Sequence, residues 1–189
     1  APLLHSLFRS DGRWLDAADM RPTYALFRQV LQIWQSTLPT ASWSLKCPQH
    51  LGHLAALLAV FPGARIIWIH RDPARSLPSL ASMAMTYLLL GSRGLDPVEV
   101  ASYWTERLAG AVDRALDFDE RAPERDWCAH VHYGQLMKDP VGTVRAIRAH
   151  FGEPLDPLHE RRIEVFMRHR PQDLYGRHVY RLDDFGMTH

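Results

Sequence analysis

Between Ala64 and Ser79 the chain reads Ala-Arg-Ile-Ile-Trp-Ile-His-Arg-Asp-Pro-Ala-Arg-Ser-Leu-Pro-Ser, and no other stretch restricts its fold as much. The β-branched and aromatic run Ile66-Ile67-Trp68-Ile69 stops at His70-Arg71-Asp72-Pro73, and a helical pattern follows at once. That is a buried strand feeding a helix through a tight, charged turn. In an open parallel sheet, ligands bind at the carboxyl ends of the strands, beside helix N-termini that favour anions. Arg71 stands at that point with a planar fork suited to phosphate, and Ser79 brings a hydroxyl early in the helix. The natural ligand of such an element is a phosphate group.

Composition excludes several classes of function. The 189 residues are 47% hydrophobic, enough for a real core in one domain or one large piece of a domain. Lys plus Arg (22) nearly balance Asp plus Glu (21), for a net charge of +1. No basic field argues for nucleic acid as the main partner. Two cysteines, Cys47 and Cys128, make no disulfide framework, and a reducing, cytoplasmic setting is expected. No apolar run approaches the about 18 residues of a membrane span, and the first residues lack a signal pattern.

Along the chain the spacing predicts a helix from Thr23, read as an N-cap, to about Ser36, with Phe27, Val30, Leu31 and Trp34 on its apolar side. Trp43-Ser44-Leu45-Lys46 reads as a short strand closed by Pro48. A helix from Leu51 to Phe61 then crosses over to a strand at Arg65–His70. Such a βαβ unit implies a parallel sheet. Further helices are expected at Ala74–Leu90, with Pro78 in or near the first turn, and at Val98–Arg121, Pro140–Phe151 and Leu158–Met167. Trp127–His132 is a third strand, and Pro171–His189 shows no periodicity. Strands alternating with helices make the class α/β.

Several motifs in order resemble the sulfotransferases that use 3′-phosphoadenosine 5′-phosphosulfate, in particular a bacterial branch with an Arg-Asp-Pro turn. They are Trp43-x-Leu-Lys-x-Pro-x-His-Leu51, Phe61-Pro62-x-Ala-Arg-Ile66, His70-Arg-Asp-Pro73 with Ser79, Val131-His-Tyr-Gly-Gln-Leu-Met-Lys-Asp-Pro140, and His178-Val-Tyr-Arg-Leu-Asp-Asp-Phe-Gly186. The likeness covers residues 22–186.

The resemblance implies a three-layer fold of the P-loop type with a central parallel sheet. It implies that Arg71 and Ser79 grip the 3′-phosphate of the donor and that Tyr133 contacts the adenosine. The family usually has acidic residues after that tyrosine, where this chain has Gly134-Gln135. His178 and Tyr180 fall in the segment that closes over the nucleotide. Lys46 and His50 fall where some branches keep a catalytic base or charge stabiliser. The implied reaction moves a sulfuryl group to a hydroxyl or amine of a small-molecule acceptor and releases adenosine 3′,5′-bisphosphate.

One departure is large. The family's Gly-, Ser- and Thr-rich loop for the 5′-phosphosulfate precedes these motifs, and neither Gly-x-x-x-x-Gly-Lys-Ser/Thr nor Ser/Thr-Gly-Thr-Thr occurs here. The expectation is therefore a single partial domain, residues 1–189, with its N-terminal part missing and inactive by itself. A sheet edge left bare would pair with a complementing N-terminal segment or a second copy of the chain. Two rival readings are a 3′-phosphate-binding module without transfer and a kinase-like P-loop relative.

Other features are read as structural. The eleven histidines show no metal-ligand spacing, so no metal is expected. Cys47 reads as a small core residue, Met83, Met85 and Tyr87 as helical core, and Arg161, Arg162, Arg168 and Arg170 as a solvated helix face.

Overall fold

The computed structural model describes residues 12, 14–89, 94–122, 126–170, 174, 176 and 179–188. A helical turn at 14–17 precedes α1 (Arg21–Thr37). This helix starts before Thr23 because Pro22 suits a first turn, where no N–H is needed, and Asp19 accepts the Arg21 N–H at 3.0 Å. Thr23 is thus inside the helix and does not cap it.

The expected strand at Trp43–Lys46 does not form. Residues 42–47 have no ladder partner, and the Trp43 indole instead donates to Gln35 Oε1 at 2.7 Å and lies beside Trp34. An extended, alternating segment becomes a strand only when a neighbour takes up its backbone groups. A 3-10 turn (Pro48–His53) and α2 (Leu54–Val60) follow, together replacing the single helix expected from Leu51.

Strand β1 (Ile66–His70) leads into α3 (Pro73–Leu89). Pro78 lies deeper in α3 than expected, in its second turn and buried, so the Ala74 carbonyl loses its usual donor. Next comes α4 (Pro97–Arg121), capped by Asp96, whose carboxylate accepts the Val98 N–H at 2.9 Å. Strand β2 (Cys128–His132) runs directly into α5 (Tyr133–Lys138), which the sequence spacing does not predict. Helices α6 (Pro140–His150) and α7 (Pro157–His169) and a 3-10 turn (Asp183–Phe185) complete the described chain. At the start of α6, Asp139 Oδ1 accepts the Gly142 N–H at 2.8 Å, and a Cβ on Gly142 would overlap that carboxylate.

The strands pair in parallel, in register from Ile66 with Cys128 to His70 with His132. One sheet face presents Trp68 and Cys128 to Leu54 of α2 and Ala115 of α4, with Phe118 and Trp127 around them. The other presents Ala129 and Val131 to a cleft of about 580 Å³ walled by α6. Helices therefore flank the sheet on both sides in the expected three layers. Beside α6, Ile67 (50%) and Ile69 (47%) remain exposed on the second face. A second core joins Ala81 of α3, Ala101 of α4 and Phe185, with Met85 packed against it. Met83 and Tyr87 are exposed, so only Met85 of the three residues read as helical core joins it. The four arginines from 161 to 170 are exposed, as expected.

Candidate functional site

The turn after β1 divides its labour among three residues. Pro73 opens α3. Asp72 is committed to the helix: its Oδ1 accepts the Ala74 N–H at 2.9 Å, and its carbonyl accepts the Ser76 hydroxyl at 2.6 Å. Arg71 is left exposed, and among the described residues no carboxylate pairs with it.

Strand geometry supplies its neighbour. Parallel strands end at the same edge of a sheet, and the register His70 with His132 makes Arg71 and Tyr133 the next residues out on each strand. The Arg71 guanidinium lies 4.7 Å from the centre of the Tyr133 ring, within cation–π range. Arg71 and Tyr133, assigned by resemblance to the 3′-phosphate and the adenosine of one nucleotide, thus meet in space. Ser79 is half-buried in the second turn of α3, the helix that Asp72 starts.

Lys46 and His50 lie on a different support. Lys46 is exposed on the irregular segment 42–47, not at the end of a strand. His50 is half-buried in the 3-10 turn, which packs on α4, and its Nδ1 lies 3.0 Å from the Tyr24 hydroxyl. Burial, then His53, lowers the His50 pKa below the usual imidazole range, and burial pushes the Tyr24 phenol up to about 12. A neutral imidazole with one nitrogen held by a phenol can accept a proton. No hydrogen bond or ion pair among the described residues ties Lys46 or His50 to Arg71, Ser79 or Tyr133.

Near the C-terminus, Tyr180 packs against the core of Ala81, Ala101 and Phe185, on the helix that carries Ser79. His178 lies outside the described residues. Among the described residues no cluster of His, Cys, Asp or Glu could hold a metal ion, and no helix is long and apolar enough to cross a membrane. Sequence reasoning gave Asp72 no role, although Asp followed by Pro is a recognisable helix start. It also missed a contact between His70 and His130, sixty positions apart, which only the strand register creates.

Comparison with known proteins bears on this geometry. Residues 3–157 match the model of the sulfotransferase family. A curated relative, the omega-hydroxy-beta-dihydromenaquinone-9 sulfotransferase Stf3 of Mycobacterium bovis, is 32% identical over 135 residues, 67% of this chain and 32% of that protein. Stf3 of Mycobacterium tuberculosis matches equally. Among solved structures, sulfotransferase STF9 from Mycobacterium avium superposes with a TM-score of 0.83 at 39% identity, over 93% of this chain and 45% of that one. STF1 from Mycobacterium tuberculosis gives 0.79 at 26% identity, over 94% and 45%. The chain spans about a third of the curated relatives' length.

Proposed function

The chain belongs to the sulfotransferase family, and on that premise we propose that the full-length protein moves a sulfuryl group from 3′-phosphoadenosine 5′-phosphosulfate to a small-molecule acceptor. The acceptor's hydroxyl or amine attacks sulfur. The sulfur–oxygen bond to the 5′-phosphate breaks, the acceptor's proton passes to a base, and adenosine 3′,5′-bisphosphate leaves. A hydroxyl acceptor is the first reading, because the curated relative carries the name of an enzyme acting on an omega-hydroxy compound.

Arg71 and Ser79 bind the 3′-phosphate in this reading, and Tyr133 lies against the nucleoside. Tyr180, with His178, is proposed to close over the nucleotide. Lys46 or His50 acts on the reacting oxygen, His50 being suited to receive a proton because it is held neutral beside Tyr24. One observation carries the reading: an exposed arginine, without a carboxylate partner among the described residues, poised over an aromatic ring where two parallel strands end.

The test is calorimetry with adenosine 3′,5′-bisphosphate. Arg71→Ala should weaken binding by about 1.5–3 kcal/mol, the range for a hydrogen bond to a charged group. Equal affinity in both proteins would remove Arg71 from the site.

A further inference from the structure

One face of the sheet carries a row of aromatic rings. The register sets Trp68 opposite His130 and His70 opposite His132, and alternate residues of a strand point the same way. His70 Nε2 lies 2.8 Å from His130 Nδ1, with the two rings stacked at 5.1 Å. Trp68 lies against both, at 5.0 Å from His70 and 5.4 Å from His130.

The titratable groups facing this pair come from each neighbouring element. On β2, the His132 ring is 5.7 Å from that of His70, and Cys128 is buried with its thiol pushed up to about 11, first by burial and then by Asp119. From α4, Asp119 Oδ2 lies 3.7 Å from His130 Nε2. Burial holds the His70 pKa below the usual range, helped by His130 and His132 and opposed by Asp119.

A nitrogen–nitrogen contact of this length holds one hydrogen, donated by one ring and accepted by the other. The neutral pair meets that condition. So does a pair with one added proton, since one charged ring then donates and the neutral ring accepts. Two imidazolium rings place two hydrogens in one gap, and the bond is lost. His70 is joined directly to Arg71, and His132 to Tyr133.

We propose that His70 and His130 are positioning residues: their hydrogen bond fixes the end of β1 so that Arg71 stays over Tyr133, and a second proton on the pair releases it. The inference rests on the nucleotide-site reading of Arg71 and adds a control on it. Acid then weakens anion binding, whereas added positive charge alone would strengthen it.

The test uses adenosine 3′,5′-bisphosphate and the full-length protein, compared with His130→Asn, whose amide keeps a donor but does not titrate, and with His130→Ala. Near about pH 8, where imidazoles are neutral, His130→Asn should bind within about twofold of wild type and His130→Ala about tenfold more weakly. As pH falls below about 5.5 wild type should lose affinity several-fold more steeply than His130→Asn, the ligand's own protonation near about pH 6 being common to both. Equal acid losses in wild type and His130→Asn, or full affinity in His130→Ala, would overturn the proposal.

A ligand-free readout separates the two readings. If Arg71→Ala binds as well as wild type, the nucleotide-site reading fails and NMR signals of the Tyr133 ring and Arg71 Nε–H decide the pair alone. Signals that move on acidification in wild type and stay fixed in His130→Asn support it. Signals that move equally in both overturn it.

Discussion

Arg71 and Tyr133 come from different strands, and the guanidinium of one stands 4.7 Å from the ring of the other because β1 and β2 end in register at a single edge. Antiparallel neighbours would put the exits at opposite edges. Helix α3 then starts from Asp72, and α5 starts with Tyr133 itself, so two helix starts flank the contact.

That contact makes the ring of Tyr133 matter more than its hydroxyl. Tyr133→Phe should bind adenosine 3′,5′-bisphosphate nearly as well as wild type. Tyr133→Ala should lose about 0.5–2 kcal/mol, the range of a cation–π contact at exposed to desolvated sites. Calorimetry on both variants checks the order.

Asp72 should act through the helix it starts. Asp72→Asn keeps a capping acceptor, whereas Asp72→Ala leaves the Ala74 N–H without one and should cost about 1 kcal/mol of stability. Denaturant melts should therefore rank Asn near wild type and Ala below both. A reversed order would show that Asp72 does not hold this helix.

Tyr24→Phe removes the hydroxyl that meets His50 and should destabilise the fold by about 1 kcal/mol. With His50 as the base, kcat in a labelled-sulfate assay should fall while affinity for adenosine 3′,5′-bisphosphate stays unchanged. A loss confined to nucleotide affinity would point away from a role for His50 at the reacting oxygen.

Acid should destabilise the protein through three histidines. His50, His53 and His70 all lie below the usual imidazole range, with burial the first cause in each. Their neutral forms are favoured in the fold, so the unfolded chain binds more protons below about pH 6.5. Stability is fully present above that value and declines as pH falls from it toward the lowered folded values. Thermal melts at about pH 7.5 and about pH 5.5 should show a lower Tm in acid, a gap that narrows in His70→Asn.

The sequence made β1 legible as a short β-branched and aromatic run ended by a charged turn, and β2 more faintly, as a short segment after Trp127. Trp43–Lys46 has the same local look and is no strand, since the missing requirement, a partner, is not local. The long helix α4 declared itself by its apolar period, while the Asp96-Pro97 start that caps it went unread. Arg71, Ser79 and Tyr133 were legible only together, as motifs in order, because one arginine after one strand carries little information. The pairing of His70 with His130 was not legible, for it depends on a register fixed by how two distant strands pack. Phe185 was hidden for a related reason: a single apolar residue in an aperiodic tail gives no sign that it will be buried.

Phe185 fills the space between Ala81 and Ala101, two side chains too small to close it themselves. During synthesis α3 and α4 therefore emerge from the ribosome long before the residue that plugs the gap between them. The two helices can pack on each other before then, but the notch between Ala81 and Ala101 stays open, an apolar foothold for a chaperone until the last residues arrive. A stop codon a few residues ahead of Phe185 would leave both helices intact in sequence yet leave that apolar notch uncovered.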